Sequence, residues 1–510
     1  MSNRIKIILI AAIAVSSVAC TNIGTDEKES GDYYERSVTF PQNASLEEKV
    51  QMTARLVPDS QQFKWQKLEM TAFIHFSINT FTDMEWGNGD ESPELFYPTD
   101  FDGEQWARII SEAGLKMIVL TCKHHDGFCL WPTRTTNHSV KYSAWRGGKG
   151  DVVREVKDAC DKYGLKFGIY LSPWDRNAST YGDNEAYNNF FRQQLKELLT
   201  WYGKIDEVWF DGANGEGPNG KKQVYDWGSY YDMIDKHQPQ AVCAIMGEDI
   251  RWVGTETGYG RETEWSATAL APGGRKSSRE INERLGLKTT SDDLGSRNII
   301  QKADKMFWYP AEVDVSIRPG WFYHSTEDDK VKSLEELVDI YFSSVGRNAV
   351  LLLNIPPDTR GLIHENDALR LKELRDYLDS TFEDNIAYRA FTKNRGARKS
   401  MDGNYETYMY IDEFPAQIEF SIPFPQECNV FMIQEYIKKG QRIEEFMLEA
   451  FINDEWLELG TSTTVGYKKM LRFDKISSDR FRLTINKSRD NAMLNEIGLF
   501  LAPPLLPGNE

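Results

Sequence analysis

Residues 204–217 read KIDEVWFDGANGEG: a short strand-like run, Glu207–Phe210, meets Asp211 and then a glycine-rich polar loop. The segment before it, NNFFRQQLKELLTWYG (188–203), places its apolar residues at helical spacing. A helix that hands over to a brief apolar strand is half of a repeating unit, and the unit recurs on both sides. TAFIHFSI (71–78), KMIVLTCKHHD (116–126), KFGIYLSPW (166–174), AVCAIMG (241–247) and NAVLLLNIPP (348–357) read as further strands. DGEQWARIISEAGL (102–115), DVVREVKDACDKYGL (151–165) and SLEELVDIYFSSVG (333–346) read as helices between them. Strands that are apolar on both faces and alternate with helices belong to a parallel sheet covered by helices. The pattern predicts an α/β fold, a (β/α)8-like TIM barrel with insertions over residues 45–385. A doubly wound open sheet competes, but no GxGxxG follows the first strand and no P-loop is present.

Near Asn385 the character changes. AQIEFSI (416–422), CNVFMIQEYI (428–437), EEFMLEAFI (444–452), EWLELG (455–460), DRFRLTI (479–485) and NEIGLFLA (495–502) are short, alternating and separated by turn residues. They predict a C-terminal antiparallel β-sandwich over 386–510. At the other end, Arg4 and Lys6 precede the apolar run Ile7–Val15 and small residues ending at Cys20. That is the pattern of an export signal (1–20), too short to span a bilayer, with Cys20 placed like the lipidated cysteine of a bacterial lipoprotein. Residues 21–44 read as a hydrophilic tether. The expected location is exported, periplasmic or attached to the outer membrane, with membrane contact only through the lipid on Cys20.

A net charge of -18 argues against nucleic acid or an anionic lipid surface as partner. Fourteen Trp, 23 Tyr and 26 Phe supply flat faces that suit sugar rings, although a tightly packed barrel core would use them as well. After Cys20 the cysteines are Cys122, Cys129, Cys160, Cys243 and Cys428, an odd number without CxxC spacing. Neither a disulfide framework nor a zinc site is expected.

Working residues of such a barrel lie at the C-terminal ends of its strands. Those ends carry His75, then Glu85 and Trp86; Lys123, His124, His125 and Asp126; Tyr170, Trp174 and Asp175; and Trp209 with Asp211. His124 and His125 are adjacent, so on a strand they would face opposite ways and not share one metal ion. Asp126 suits a turn cap. Asp211 has capping as its plain alternative, weakened by the long loop before the next helix.

In this order and spacing, FIHFSINTF (73–81), EWG (85–87), KHHDGFCLW (123–131), IYLSPWD (169–175) and EVWFDG (207–212) resemble the α-L-fucosidases of glycoside hydrolase family 29. The resemblance implies Asp211 as catalytic nucleophile. It implies His75, His124 and His125 as readers of fucose hydroxyls, and Glu85, Trp86, Tyr170 and Trp209 as walls of the sugar pocket. GEDIRWVGTETGYGRETEW (247–265) resembles the subgroup that cleaves α-1,3- and α-1,4-linked fucose, which implies Glu256 as acid/base, with Glu264 as the second candidate. EVDVSIRPGWFYH (312–324) is expected to return to the rim, where Trp321 closes the pocket or joins the core. The implied activity is exo-acting retaining hydrolysis of fucosylated oligosaccharides or glycoconjugates, without cofactor or metal. The alternatives are a related retaining glycosidase of other sugar preference, such as a galactosidase, and a non-catalytic carbohydrate-binding surface lipoprotein.

Overall fold

The computed structural model describes residues 32 to 505. The expected signal segment and Cys20 lie outside the described residues. Eight parallel strands form the sheet at the heart of the chain: β1 Met70–Ile74, β2 Met117–Lys123, β3 Lys166–Leu171, β4 Glu207–Phe210, β5 Val242–Ile245, β6 Arg251–Trp252, β7 Ala311–Ser316 and β8 Ala349–Asn354. Their order is β5-β4-β3-β2-β1-β8-β7-β6. A parallel bridge between Ala244 and Ile250 draws the two ends together into a near-closed barrel.

Alternation along each strand sorts its side chains between two cores. Phe73, Met117, Val119, Tyr170, Trp209, Val242, Val350 and Leu352 pack inside the barrel. Their neighbours Ala72, Ile74, Ile118, Leu120, Ile169, Val208 and Phe210 pack outward with the helices. Both faces are buried, which is why the strands read as continuous apolar runs. Buried carboxyls lie in this interior: among them, Glu207 accepts from the Trp65 indole at 2.7 Å and Glu312 from the Trp209 indole at 2.7 Å. Burial pushes both upward, with Asp206 adding to the rise of Glu207 and Glu207 to that of Glu312, which favours the neutral acids at pH 7.

Helices Gly103–Glu112, Val152–Tyr163, Asn184–Trp201 and Trp227–His237 follow β1 to β4, and each begins at an aspartate that caps its first turn: Asp102, Asp151, Asp183 and Asp226. The repeat then departs from the expected one. No helix separates β5 from β6, and the β6–β7 connection is a long excursion with helices Lys276–Leu285 and Arg297–Lys302. That excursion includes a three-stranded sheet built from Ala267–Thr268, Lys305–Trp308 and Ser37–Thr39. Residues read as tether therefore join the fold from Tyr34 onward, and Val38 and Phe40 are buried.

The C-terminal part is one seven-stranded antiparallel sheet. Ala416–Glu435 and Lys469–Ser488 are each 20 residues long, and register shifts along their pairing let one strand serve both layers. Stretches that read as separate strands (416–422 and 428–437) are thus one bent strand. The core between the layers includes Ile418, Phe420, Phe431, Phe446, Leu448, Phe481 and Leu483.

Beneath the rim, Lys123 is fully buried, with Nζ 2.9 Å from Asp175 Oδ2 and 2.9 Å from Gln194 Oε1. It ties the end of β2 to the segment after β3. Lys123→Met leaves the Asp175 charge buried without its partner and is expected to cost about 3–5 kcal/mol. Urea unfolding measures this; a loss below about 1 kcal/mol would show that the pair does not hold the two ends together.

Candidate active site

Asp211 stands one residue beyond β4, its side chain 25% exposed. Its Oδ1 accepts the Ala213 N–H at 2.6 Å, and its Oδ2 accepts the Tyr170 hydroxyl at 3.1 Å. His125 Nε2 lies 3.9 Å from the same Oδ2. Asp226, not Asp211, caps the following helix, so Asp211 is free to face the pocket. The glycines after it serve close packing rather than open space. A Cβ at Gly215 would meet the Trp174 ring at 2.1 Å, and one at Gly217 would meet Tyr181 at 2.5 Å. The loop folds back, and the Glu216 carbonyl accepts the Trp174 indole N–H at 3.0 Å.

The three histidines gather beside Asp211. His124 and His125 lie past the end of β2, where strand alternation no longer applies, so their rings sit on the same side with centroids 4.1 Å apart. The expectation that they diverge is corrected. His75 is 5.5 Å from His124, centroid to centroid. Burial lowers all three: His75 to about 3, His124 well below the usual imidazole value, and His125 downward despite Asp211. They are neutral, and their tautomers follow from their neighbours. Asn354 donates through Nδ2 to the Trp321 carbonyl, so its Oδ1 must accept from His75 Nδ1, 2.7 Å away. Ser172 donates to the Trp174 carbonyl, so its Oγ accepts from His125 Nδ1 at 2.7 Å. Each ring therefore presents an unprotonated Nε2. His124 Nδ1 is buried with no hydrogen-bond partner among the described residues.

Aromatic rings enclose the space. Phe73, inside β1, lies 4.5 Å from His75, 5.8 Å from Tyr170, 5.1 Å from Trp209 and 6.2 Å from Trp321. Trp86, exposed, abuts His125 and Trp174. Trp321 packs 5.1 Å from His75, and its indole N–H approaches Glu256 Oε2 at 3.4 Å. Glu85 reaches the rim but stands behind its wall. Its carboxylate accepts the backbone N–H groups of Trp321 (2.9 Å) and Phe322 (3.1 Å) and contacts His324 Nε2 (2.8 Å).

Of the two glutamates weighed for the acid, Glu256 is exposed beside Trp321. Glu264 is buried, paired with Arg251 and with Arg261 (3.1 Å), and its backbone bonds to the side chains of Thr464 and Gln441, in loops between strands of the C-terminal sheet. Two guanidinium groups occupy its carboxylate, away from the Asp211 pocket walls described above. Phe73, Ser172, Asn354 and His324 also line or brace the site and were not singled out by the sequence. Asn354 and Ser172 stand at strand ends and were within reach of the rule that found the others.

A family profile described as alpha-L-fucosidase matches residues 17–383. The Arabidopsis thaliana protein alpha-L-fucosidase 1 is 39% identical over 461 residues, 87% of each chain. A crystal structure from Bacteroides ovatus, described as that of a candidate alpha-L-fucosidase, is 55% identical with a TM-score of 0.88, covering 94% of this chain and 80% of its own. A Ruminococcus gnavus GH29 fucosidase solved in complex with fucose is 30% identical with a TM-score of 0.77, covering 88% and 95%.

The clamp on Trp321 titrates. Burial opposes protonation of His324, but Asp83 and Glu85 outweigh it and raise its pKa. A raised histidine stabilises while protonated and loses that contribution as pH rises through the folded value. Hydrogen-exchange protection of residues 320–324, corrected for intrinsic rates, is expected to fall as pH rises beyond the ordinary imidazole range. Glu85→Ala removes the acceptor of two N–H groups and is expected to abolish that protection at every pH. Unchanged protection in the variant would show that Glu85 does not hold the segment.

Proposed function

The chain belongs to the α-L-fucosidase family, glycoside hydrolase family 29, and from that premise we propose an exo-acting, retaining enzyme that releases terminal fucose from α-1,3- or α-1,4-linked branches of glycans. Asp211 attacks the anomeric carbon from beneath the ring while Glu256 protonates the departing glycosidic oxygen. A covalent fucosyl-enzyme forms, and Glu256 then takes a proton from water as that water displaces Asp211.

The observation that carries this reading is the setting of Asp211. The Ala213 N–H and the Tyr170 hydroxyl orient its carboxylate and stabilise its charge, and neutral imidazoles surround it. Burial and the Asp211 charge push the Tyr170 phenol well up, so it stays a donor. Unprotonated Nε2 atoms on His75 and His125 suit sugar hydroxyl donors, and the faces of Trp209, Trp321 and Phe73 suit the C6 methyl of fucose. Trp86 and Trp174 extend the apolar lining outward. The fucose complex of the Ruminococcus gnavus relative supports fucose as the ring bound. The linkage assignment draws its support from the 247–265 segment.

Three tests bear on this. Incubation with a Lewis-type trisaccharide, a 2'-fucosylated lactose and an aryl fucoside should release fucose mainly from the first, as the α anomer by proton NMR. Release from none sinks the enzyme reading, and release only from the other two sinks the linkage. Glu256→Ala should lower turnover roughly 10²–10⁴-fold, and azide should restore it with α-fucosyl azide as product. Asp211→Ala with azide should instead give the β-azide, because azide then enters from the nucleophile's side. We further propose export and lipidation at Cys20; fatty-acid labelling of the expressed protein should vanish in Cys20→Ala, and labelling that persists refutes it.

A further inference from the structure

Trp86 is the most open of the aromatic walls. It is 57% exposed, and its ring meets Trp174 and His125 edge-on, with centroids 5.7 and 5.8 Å away. Packing gives so open a ring little hold, so its position follows from the backbone that carries it. That backbone lies between the short helix Asn79–Thr82 and the turn Pro93–Leu95, in a stretch without strand or helix.

The stretch docks on the two residues that follow Asp175. Arg176 Nη1 donates to the Gly87 carbonyl at 2.5 Å, and Asn177 Nδ2 donates to the Gly89 carbonyl at 2.8 Å. Both glycines are buried, although Trp86 and Asn88 beside them are exposed. The fit is close: a Cβ on Gly89, whose φ is +90°, would meet the Arg176 backbone at 2.4 Å. The base under this contact is itself fixed. Asp175 Oδ1 accepts the N–H groups of Asn177 (3.0 Å) and Ala178 (2.8 Å), while its Oδ2 meets Lys123 Nζ at 2.9 Å. The Arg176 N–H donates to the His125 carbonyl at 2.9 Å. A line of bonds therefore runs from the end of β2, through Asp175 to Arg176 and Asn177, and on to the glycines beside Trp86.

We propose that Arg176 and Asn177 are positioning residues: they clamp residues 85–91 to the rim and so set where Trp86 stands against the bound sugar. The inference rests on Trp86 being a wall of the fucose pocket. Neither side chain reaches the reacting atoms in this arrangement, so the clamp acts on binding through Trp86 rather than on the chemical step. A wall that meets the sugar ring equally in the ground and transition states moves KM and leaves kcat in place.

Kinetics on the Lewis-type trisaccharide, with KM and kcat resolved, tests this. Trp86→Ala is expected to raise KM. Arg176→Met keeps the side-chain stem but removes the donor to Gly87, and should raise KM about 3–10-fold with kcat within about twofold. Arg176→Lys keeps a donor and should recover most of that loss. Asn177→Ala should move KM the same way by less, and it decides the matter if Arg176→Met does not fold. Because the clamp acts through Trp86, adding Arg176→Met to Trp86→Ala should change kcat/KM by less than about twofold. Losses that multiply in the double variant, or a KM unmoved by both Arg176→Met and Asn177→Ala, overturn the proposal. If Trp86→Ala leaves KM unchanged, the wall role of Trp86 has failed and the clamp's effect on binding with it. Hydrogen exchange across residues 85–91 reads the clamp without turnover: protection lost in Arg176→Met supports it, and unchanged protection overturns it even where no fucoside is cleaved.

Discussion

A single hydrogen bond, from the Tyr170 hydroxyl to the Asp211 carboxylate, joins two neighbouring barrel strands at the level where the pocket begins. Tyr170 and Trp209 are paired across β3 and β4, so the phenol reaches past its partner to the residue just beyond the strand. Neither strand end can shift without the other. The helices draw on other aspartates for their caps, which leaves Asp211 to the pocket. The barrel thus supplies a charged group at a fixed height, and the rest of the site is arranged around it.

Charge in the pocket is sparing despite the acidity of the whole chain. Three buried imidazoles are neutral, two interior glutamic acids are neutral, and Asp314 titrates near neutrality. Desolvation is the first cause in every case, because the same packing that excludes water makes each ionised form costly. An uncharged sugar needs hydrogen bonds and apolar faces rather than ion pairs, and a site of this kind offers both. The positive groups are spent on structure: Lys123 on Asp175, Arg251 on Glu264 and Arg318 on Asp367.

What could be read from the chain depended on how local the controlling interaction was. Strands β1 to β4 and the Asp211 motif were legible because continuous apolar runs and strand-end polarity are properties of a few adjacent residues. Strand β6 is two residues long and carries no periodicity, so it passed as loop. The same-side arrangement of His124 and His125 was hidden because the strand stops at Lys123, before either histidine, where alternation no longer holds. Glu264 stayed in contention as acid because its partners are set by tertiary contacts, with the loop residues Thr464 and Gln441 about two hundred residues away in sequence. Tyr34 to Phe40 looked like a polar tether because their pairing partners, Leu56–Val57 and Lys305–Phe307, are supplied from elsewhere.

Retention through Asp211 requires a covalent bond between its carboxylate and fucose. Treatment with 2-deoxy-2-fluoro-fucosyl fluoride, followed by digestion and mass spectrometry, tests that bond directly. A fluorofucosyl adduct on the peptide carrying Asp211, formed in step with loss of activity, is the predicted result. An adduct on another carboxylate, or inactivation without an adduct on that peptide, would contradict the account.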